Sequence, residues 1–436
     1  MGWAVHYPPP MGGFKQTPMA LVEETDKFRH ITNAKMGACI NEDIPDPDRP
    51  VHMPAHAELR RRLRVMAGSR GTQGLWMAKR DIRRAYRNLA IRVQDWAVAG
   101  MRVGGRIYID TALNFGTRSS PDKFLELSDA VEWVMRRWGV ECTHYIDDFI
   151  FMGGSKEEVD EQIARFEMVC AEFGLPIKEE KDVGPAQRLE VLGVEYDLVA
   201  GTVKMPRRQL ERIQTGCDSI LQKGMQTTEA RSLLGVMGWA AQCLERTAAF
   251  SSRLWAAVEA ATVADARRIK VSHGLRDDMR WWIASLHAGM GTRGCAIIVH
   301  KKEVAEVAAG DAGSEWGIGG WDSQGYYKAS LTEEVRAAAH RKSAMSSKFL
   351  ELWQLLVMAR VMGPRWEGRH VRVQVDNQGL VPMFRKGRGK KPMENDMVRE
   401  ICMLQVAQGW SWELQWIQRE RNEAADALSK DDMPRF

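Results

Sequence analysis

Two adjacent aspartates, Asp147 and Asp148, lie between two strongly apolar segments of the chain. Residues 143–152 have the pattern of two short strands, which predicts a hairpin with both acids in its tight turn. Adjacent carboxylates repel each other, so such a turn is either well solvated or stabilised by divalent cations. A plain acidic turn is the commoner case, but the apolar flanks fit it less well. Both interpretations stay open on this motif alone.

A third acid, Asp81, lies at the end of a strand predicted for residues 75–81. A carboxylate at a sheet edge is well placed to bind a metal ion, and Mg²⁺ prefers carboxylates together with substrate phosphates. Two such ions, about 3.5–4 Å apart, can activate a primer 3′-hydroxyl and hold the leaving pyrophosphate. Asp81, Asp147 and Asp148 are therefore candidate catalytic and metal-binding residues, called the first acid set below.

Positive charge is concentrated in particular stretches of the chain. The net charge is only +5, but lysines and arginines far outnumber acids between Val51 and Asp110. A partner with a phosphate backbone would need this excess, whereas a solvated basic helix at residues 60–64 would produce it equally well. A second basic series runs through helical sequence from Arg207 to Arg253.

The chain of 436 residues is too long for one core and predicts two or three domains. Helical periodicity prevails over residues 206–289, residues 291–294 are typical of a linker, and strand patterns return at Cys295. We expect domains at residues 1–204, 205–290 and 291–436.

Local patterns also predict individual elements. The predicted helices are residues 55–67, a helix with Ser120 as N-cap and Pro121 at its first position, residues 156–173 before Gly174, residues 346–361, and the remainder after Val375. The predicted strands are residues 106–113, 189–203, 296–299, 304–309, 317–321 and 371–375.

Membrane and secretory classes do not fit the sequence. No apolar run is long enough to span a bilayer, and the N-terminus lacks the basic and apolar regions of a secretory signal. The seven cysteines are scattered without a Cys-x-x-Cys pair, which is typical of reduced thiols and not of disulfides or zinc sites. We expect an intracellular protein, cytoplasmic or nuclear, with no membrane partner.

Five segments of the chain form an ordered series of motifs. One such motif would be weak, but five in order are specific. They are Asp81-x-x-x-Ala85-Tyr86-Arg87, Phe115-Gly116-x-Arg118-Ser119-x-Pro121, Tyr145-x-Asp147-Asp148, Lys181 with Gly184-Pro185-x-Gln187, and Val191-Leu192-Gly193. Over residues 15–290 the chain resembles reverse transcriptases, and it is most similar to the enzymes of gypsy and DIRS-like retrotransposons.

The resemblance implies a role for each matched residue. The first acid set would bind two divalent ions, Mg²⁺ or Mn²⁺. Tyr86 would block a ribose 2′-hydroxyl, and Arg29 would contact the incoming triphosphate. The other candidate substrate-binding residues would line the nucleotide pocket or belong to the primer grip and its neighbouring motif: Phe115, Gly116, Lys181, Leu192 and Gly193.

The chain departs from this family at two points. The family usually has a Val-Pro-Lys run before Lys-x-Arg, but here Val22 is followed by Glu23-Glu24. Asn114 replaces the proline that usually precedes Phe-Gly. The first departure removes a cation that would attract the triphosphate.

A second acid set, Asp311, Glu351, Asp376 and Asp426, is spread over residues 300–432. Taken singly, each acid has an ordinary interpretation as a turn cap or a helix-surface residue. In this order they resemble the RNase H family, in which four acids hold two magnesium ions that activate water against an RNA phosphate. The family often carries a histidine before the last acid, where this chain has Gln418-Arg419-Glu420-Arg421.

The expected fold class is α/β (α+β), a right-hand polymerase with fingers, palm and helical thumb followed by an RNase H-like α/β domain with a mixed five-stranded sheet. The resemblance implies a multifunctional enzyme that copies RNA into DNA and degrades the RNA of the hybrid. Its partners would be an RNA template, a DNA primer, an RNA–DNA hybrid and dNTPs. The alternative, favoured by Glu23-Glu24, is a domesticated scaffold that binds RNA or a ribonucleoprotein without catalysis.

Overall fold

The computed structural model describes residues 4–6, 17–24, 27–33, 40–45, 56–68, 71–178, 183–244, 247–289, 295–297, 303–313, 316–335 and 347–436. The chain forms two compact units, Met1–Thr202 and Val203–Phe436. The predicted boundary at 290/291 lies in a segment outside the described residues. The domain boundaries at 204/205 and 290/291 therefore stay predictions.

Within its described residues, the first unit combines small antiparallel sheets with four α-helices. Its strands are β1 (Ala4–His6), β2 (Met19–Glu24), β3 (Lys27–Thr32), β4 (Trp76–Asp81), β5 (Gly100–Val103), β6 (Arg106–Asp110), β7 (Cys142–Tyr145), β8 (Asp148–Gly153), β9 (Val183–Ala186), β10 (Arg188–Val191) and β11 (Val194–Asp197). Its α-helices are α1 (Ile40–Asp43), α2 (His56–Ala67), α3 (Ser120–Arg137) and α4 (Lys156–Glu172). The strands pair as β1-β6-β5, β2-β3, β10-β11 and β7-β8-β4-β9.

The sheet β7-β8-β4-β9 forms the core on which α3 and α4 pack. Phe149 and Phe151 alternate along β8, so both side chains point to the same face, and both are fully buried. Their rings contact Phe166 of α4, with centroids 4.7 and 5.2 Å apart. Full burial of one such side chain contributes about 1.5–3 kcal/mol. This packing fixes the end of β8 that carries Asp148.

Two helix ends in the first unit show how precisely local sequence patterns predict helix boundaries. The end of α4 before Gly174, which adopts a φ of 67°, is as predicted. The prediction of Ser120 as an N-cap is wrong, because the N–H of Lys123 donates to the carbonyl of Ser119 at 3.0 Å. Ser119 is therefore the cap, and α3 begins at Ser120. The pattern could not separate two consecutive serines that precede the same proline.

The second unit consists of a helical part followed by a part in which strands and helices alternate. Strand β12 (Thr202–Lys204) precedes the helices α5 (Arg207–Lys223), α6 (Thr227–Cys243), α7 (Ser252–Val263) and α8 (His273–His287). The strands that follow are β13 (Cys295–Ala296), β14 (Glu306–Ala312), β15 (Gly317–Asp322), β16 (Gly325–Ser330), β17 (His370–Val375) and β18 (Ser411–Trp416). The remaining helices are α9 (Ser347–Val361), α10 (Leu380–Lys386), α11 (Pro392–Ala407) and α12 (Glu423–Ser429).

Five of these strands form a mixed sheet in the order β16-β15-β14-β17-β18. Strands β14, β17 and β18 run parallel to one another, whereas β15 is antiparallel to both β14 and β16. This arrangement confirms the expected fold class. The prediction of helices alone after Val375 is wrong, since β18 pairs with β17 from His370 opposite Ser411 onward. A partner some forty residues away determines this strand, and short-range periodicity does not detect such partners.

A buried ion-pair cluster joins α7, α8 and α11 within the second unit. Arg399 is 5% exposed, and its Nε lies 3.1 Å from Oδ1 of Asp278. Arg253 lies 3.0 Å from the same carboxylate, and Asp396 pairs with both arginines. Burial raises the pKa of Asp278 to about 7, although the two arginines act to lower it. The helical segment and the sheet segment therefore share one electrostatic network.

We predict that Asp278→Asn destabilises the protein at pH 8, where the native carboxylate is ionised. The change removes the buried carboxylate beside Arg399, which costs roughly 3 kcal/mol. Replacing Asp278 and Arg399 together by Leu removes both charges and should cost much less. The measurement is the denaturant midpoint followed by tryptophan fluorescence, with Asp277→Asn at the exposed neighbour as control. Equal losses in the single and double variants would contradict the prediction.

Candidate active sites

The first acid set lies at one end of the two central strands of the core sheet, β4 and β8. Asp81 is the last residue of β4 and pairs across the sheet with Asp148, the first residue of β8. Asp147 lies in the turn before Asp148, and its carbonyl accepts a hydrogen bond from the N–H of Ile82 at 3.0 Å. Asp81 is 4% exposed, and the other two acids are half-buried. The backbone pairing brings the three residues together.

The turn between β7 and β8 is strained. It contains only Ile146 and Asp147, because Tyr145 pairs directly with Asp148. Ile146 adopts a φ of 57°, a left-handed conformation that β-branched residues rarely take. Ser128 of α3 stabilises it by donating a hydrogen bond to the Ile146 carbonyl at 2.7 Å. Strain of this kind costs of order 1–3 kcal/mol and clusters at functional sites.

A buried histidine lies behind this turn. His144 stacks on Phe149, with ring centroids 5.3 Å apart, and its Nδ1 lies 3.2 Å from a carboxylate oxygen of Glu132. Burial lowers the pKa of His144 to about 4, and the charges of Arg136 and Arg62 act in the same direction. The ring is therefore neutral at physiological pH, so protonation does not disturb the hairpin there.

Tyr86 lies on a short 3₁₀ helix that follows β4. Its ring centroid is 5.0 Å from that of Phe115 and 6.0 Å from that of Phe124. The next residue, Arg87, donates a hydrogen bond to the buried carboxylate of Asp110 at 2.6 Å, which fixes this segment against β6. The structure therefore brings Tyr86 and Phe115 together. Asp110 was not predicted, because only the fold shows that it faces Arg87.

Gly116 occupies a position that no other residue fits. Its φ is 107°, and a Cβ there would lie 1.8 Å from the carbonyl oxygen of Thr32. The Thr32 N–H donates to the carbonyl of Phe115 at 2.8 Å, and Asn41 Nδ2 donates to the carbonyl of Gly116 at 3.0 Å. These contacts fasten the segment with Phe115 to the strand β3.

Leu192 and Gly193 form the two-residue turn between β10 and β11, with Val191 paired to Val194. Their φ values are 49° and 75°. Two successive positive φ values are typical of a type I′ hairpin turn. A glycine adopts this conformation readily, whereas a leucine is strained in it.

For two candidate substrate-binding residues, Arg29 and Lys181, the structure does not describe the side chain. Arg29 lies on β3 with its backbone opposite Val22 of β2. Its side chain falls outside the described part of the structure. Lys181 lies within residues 179–182, which are also outside the described residues. Their proposed roles stay predictions.

The second acid set is assembled around two parallel strands. Asp311 lies near the end of β14, and Asp376 directly follows β17. These strands are in register with Ala309 opposite Gln374, and the same register two residues further on brings Asp376 beside Asp311. Neighbouring strands are about 4.8 Å apart, so the two acids share one sheet edge.

Two helices bring the other acids to this edge. Glu351 of α9 is 8% exposed and accepts a hydrogen bond from Asn377 Nδ2 at 3.1 Å. Asp426 lies on α12, where Ser429 Oγ donates to Asp311 at 2.6 Å. Helix α12 approaches β15 so closely that a Cβ on Gly319 would lie 2.3 Å from the Leu428 side chain. The structure therefore brings all four predicted acids together.

In the second acid set, burial and repulsion between carboxylates raise the pKa values of Glu351 and Asp376. Burial raises the pKa of Glu351 to about 7, and the negative charges of Asp376 and Asp311 add to the effect. The pKa of Asp376 is raised as well, by burial and by Asp311. Arg419, in the loop where the family often has a histidine, lowers both values and lies 3.6 Å from Asp426. Added positive charge would stabilise the fully ionised set.

The donor chemistry of both sets fits hard divalent cations, because every candidate ligand is a carboxylate. Within the described residues, however, no group of three or more His, Cys, Asp or Glu side chains is arranged to hold a metal ion. The fit to Mg²⁺ therefore depends on the donor type and on the repulsion that a cation would relieve.

A basic loop, residues 385–391, was not among the predicted binding residues; it comprises the end of α10 and the connection to α11. Glu394 holds it by accepting hydrogen bonds from the N–H groups of Lys390 and Lys391 at 2.7 and 3.2 Å. The cation run is visible in the sequence and is a known signal for phosphate partners. Its exposed cations are Arg385, Lys386, Arg388, Lys390 and Lys391.

We predict that Gly116→Ala disrupts the first site without affecting the second. The added Cβ cannot coexist with the Thr32 carbonyl, so the Phe115 segment must move away from β3. Primer extension should fall at least tenfold, since a shift of about 1 Å near a reaction centre can cost 10²-fold. Hybrid cleavage should be unchanged. Gly74→Ala, at a glycine with open space around its Cβ position, is the control and should retain both activities.

Comparisons with known proteins agree with this geometry. Residues 25–196 match the family model of reverse transcriptase (RNA-dependent DNA polymerase), and residues 337–432 match the model called reverse transcriptase-like. No curated protein matches the chain. Within the described residues, none of the helices combines the length and hydrophobicity that crossing a bilayer requires.

Solved structures of foamy viral protease-reverse transcriptase are similar in fold. The dRH form in complex with double-stranded DNA has a TM-score of 0.54 at 13% identity, with 95% of this chain and 67% of that chain covered. A complex with double-stranded DNA has a TM-score of 0.52 at 13% identity, covering 96% and 80%. A complex with an RNA/DNA hybrid has a TM-score of 0.51 at 14% identity, covering 95% and 51%. The chain therefore carries a reverse transcriptase domain followed by a reverse transcriptase-like domain with an RNase H-like sheet.

Proposed function

We propose that the protein is an RNA-directed DNA polymerase with RNase H activity, which copies RNA into DNA and degrades the RNA of the hybrid. The observation that carries this proposal is the assembly of both acid sets. Backbone pairing brings acids of each set near one another, and in the second set Glu351 and Asp426 are contributed by helices. An unselected scaffold has no reason to gather seven carboxylates, since their repulsion opposes folding.

In the polymerase, Asp81, Asp147 and Asp148 would hold two divalent cations, Mg²⁺ or Mn²⁺. These ions would lower the pKa of the primer 3′-hydroxyl and neutralise charge on the triphosphate. Tyr86, packed against Phe115, would form the wall that excludes a ribose 2′-hydroxyl. Because the aromatic contact fixes this ring, sugar selection would need no movement of the protein.

In the nuclease, Asp311, Glu351, Asp376 and Asp426 would hold a second pair of such ions for hydrolysis of an RNA phosphodiester. Glu351 has a pKa of about 7 without cations, so it would bind them with release of a proton. Ser429 and Asn377 orient two of these carboxylates through hydrogen bonds. These hydrogen bonds would hold Asp311 and Glu351 in place when the cations bind.

The proposed partners are an RNA template, a DNA primer, an RNA–DNA hybrid and dNTPs. The exposed cations at the start of α5, Arg208 and Arg212, and the basic loop of residues 385–391 suit phosphate contacts. The foamy viral structures of similar fold hold double-stranded DNA or an RNA/DNA hybrid. The Phe115-Gly116 motif supports a place among gypsy and DIRS-like retrotransposon enzymes.

One observation favours a second candidate function. Glu23 and Glu24 end β2, where the family has a lysine for the triphosphate, and Glu24 pairs in register with Lys27 of β3. A domesticated scaffold that binds RNA or a ribonucleoprotein would not need that lysine. Tight RNA binding without extension or cleavage by the purified protein would establish this alternative.

We predict that the two activities separate by mutation. Asp147→Asn removes one charge at nearly constant shape, so magnesium-dependent primer extension on an RNA template should fall by orders of magnitude. Cleavage of a labelled RNA–DNA hybrid should survive. Glu351→Gln should have the reverse effect, and each variant is the folding control for the other. Near wild-type extension by Asp147→Asn would remove this residue from the site.

We predict that the basic loop binds the hybrid through phosphates. Charge reversal of Arg388 and Lys390 together should weaken hybrid binding whatever its sequence. The slope of binding against salt concentration should become shallower by about one for each phosphate that the variant no longer neutralises. Lys156→Glu is the control, because it reverses an exposed cation at a helix start in the other unit. An unchanged slope in the loop variant would show that these cations are only solvated.

A further inference from the structure

The turn of Leu192 and Gly193 needs support from outside its own hairpin, because Leu192 is strained. The strand that leaves the turn, β11, carries Tyr196, which is fully buried. The Tyr196 hydroxyl lies 2.9 Å from Nδ1 of His56, another fully buried side chain. The two rings are tilted with centroids 5.9 Å apart. A polar pair therefore lies where two apolar side chains would be the simpler packing.

His56 is the first residue of α2, so this contact joins elements about 140 residues apart. Burial lowers the pKa of His56 to about 4, and the charge of Arg60 acts in the same direction. The backbone of Leu192 acts on the same imidazole and raises its pKa. A neutral imidazole offers one donor and one acceptor. The Tyr196 hydroxyl engages one of these through Nδ1.

We infer that His56 is a positioning residue for the primer terminus, acting through Tyr196 on the β10–β11 turn. This inference rests on the proposed polymerase function, in which that turn is the primer grip. A hydrogen bond constrains direction as well as distance, whereas apolar packing tolerates sliding. The hydrogen bond between His56 and Tyr196 therefore restricts movement of the β10–β11 hairpin relative to α2.

The alternative is that the pair contributes to stability only. Thr72 provides a matched case, since its buried hydroxyl donates to the carbonyl of Leu198, just beyond the end of β11, at 2.6 Å. Thr72→Val removes one buried hydrogen bond from the base of the same hairpin. Tyr196→Phe removes one buried hydrogen bond at a position of β11 that is closer to the turn. The two variants lose similar chemistry at different distances from Leu192.

The experiment measures primer extension by the full chain as a function of primer–template concentration, with hybrid cleavage and melting temperature as parallel readouts. Tyr196→Phe and His56→Asn should each raise KM for primer–template about threefold to tenfold, the range expected for one hydrogen bond. The kcat for hybrid cleavage should not change. The double variant should be no worse than the more affected single variant, because both remove the same interaction.

Thr72→Val should lower the melting temperature by a similar amount while KM for primer–template stays unchanged. The inference is overturned if Thr72→Val raises KM equally, or if Tyr196→Phe melts earlier with unchanged KM. If His56→Asn does not fold, Tyr196→Phe alone decides, since it removes a single oxygen. No extension by the unmodified protein would instead overturn the proposed polymerase function, and the inference with it.

Discussion

Repulsion between carboxylates is the constraint on which both halves of the structure depend. Asp81 faces Asp148 across a strand pair, and in the second acid set burial and repulsion hold the pKa of Glu351 at about 7. Such arrangements oppose folding, so packing elsewhere must stabilise them. The buried phenylalanines of β8 and the contact between α12 and Gly319 supply rigid supports. The acids keep their places because the backbone around them cannot relax.

Much of this arrangement is readable from the sequence. The hairpin around Asp147, the strand ending at Asp81 and the helix ending before Gly174 follow from local apolar periodicity and turn residues, which act over a few positions. Motif order picked out the seven acids as candidates before their positions in the fold were known. The failures differ in kind. The pattern did not distinguish Ser119 from Ser120 as a cap, which is a local ambiguity, and it did not find β18, whose partner strand lies some forty residues away.

The rest depends on partners that are distant in the chain. Arg399 and Asp278 are ordinary helix residues in the sequence, and only the packing of α8 against α11 makes them a buried pair. Asp110 and Ser128 support Tyr86 and the acidic turn in the same way. Such contacts have no period and no motif, because they arise from tertiary packing. The basic loop is different, since its run of cations is visible in the sequence and only its exposure requires the fold.

The ion-pair cluster bears on how the second unit would hold nucleic acid. Helix α11 begins directly after the basic loop of residues 385–391, and it carries Arg399, whose partner Asp278 lies on α8. Helix α8 packs against α5, which starts with the exposed Arg207 and Arg208. Separating α8 from α11 would break the buried ion pair of Arg399 and Asp278, and breaking a buried pair is costly. The ion-pair cluster, together with the packing of α8 on α5, thus links the helices that carry the two cationic surfaces, the start of α5 and the basic loop. A duplex that binds as proposed would therefore contact two surfaces whose relative position is constrained.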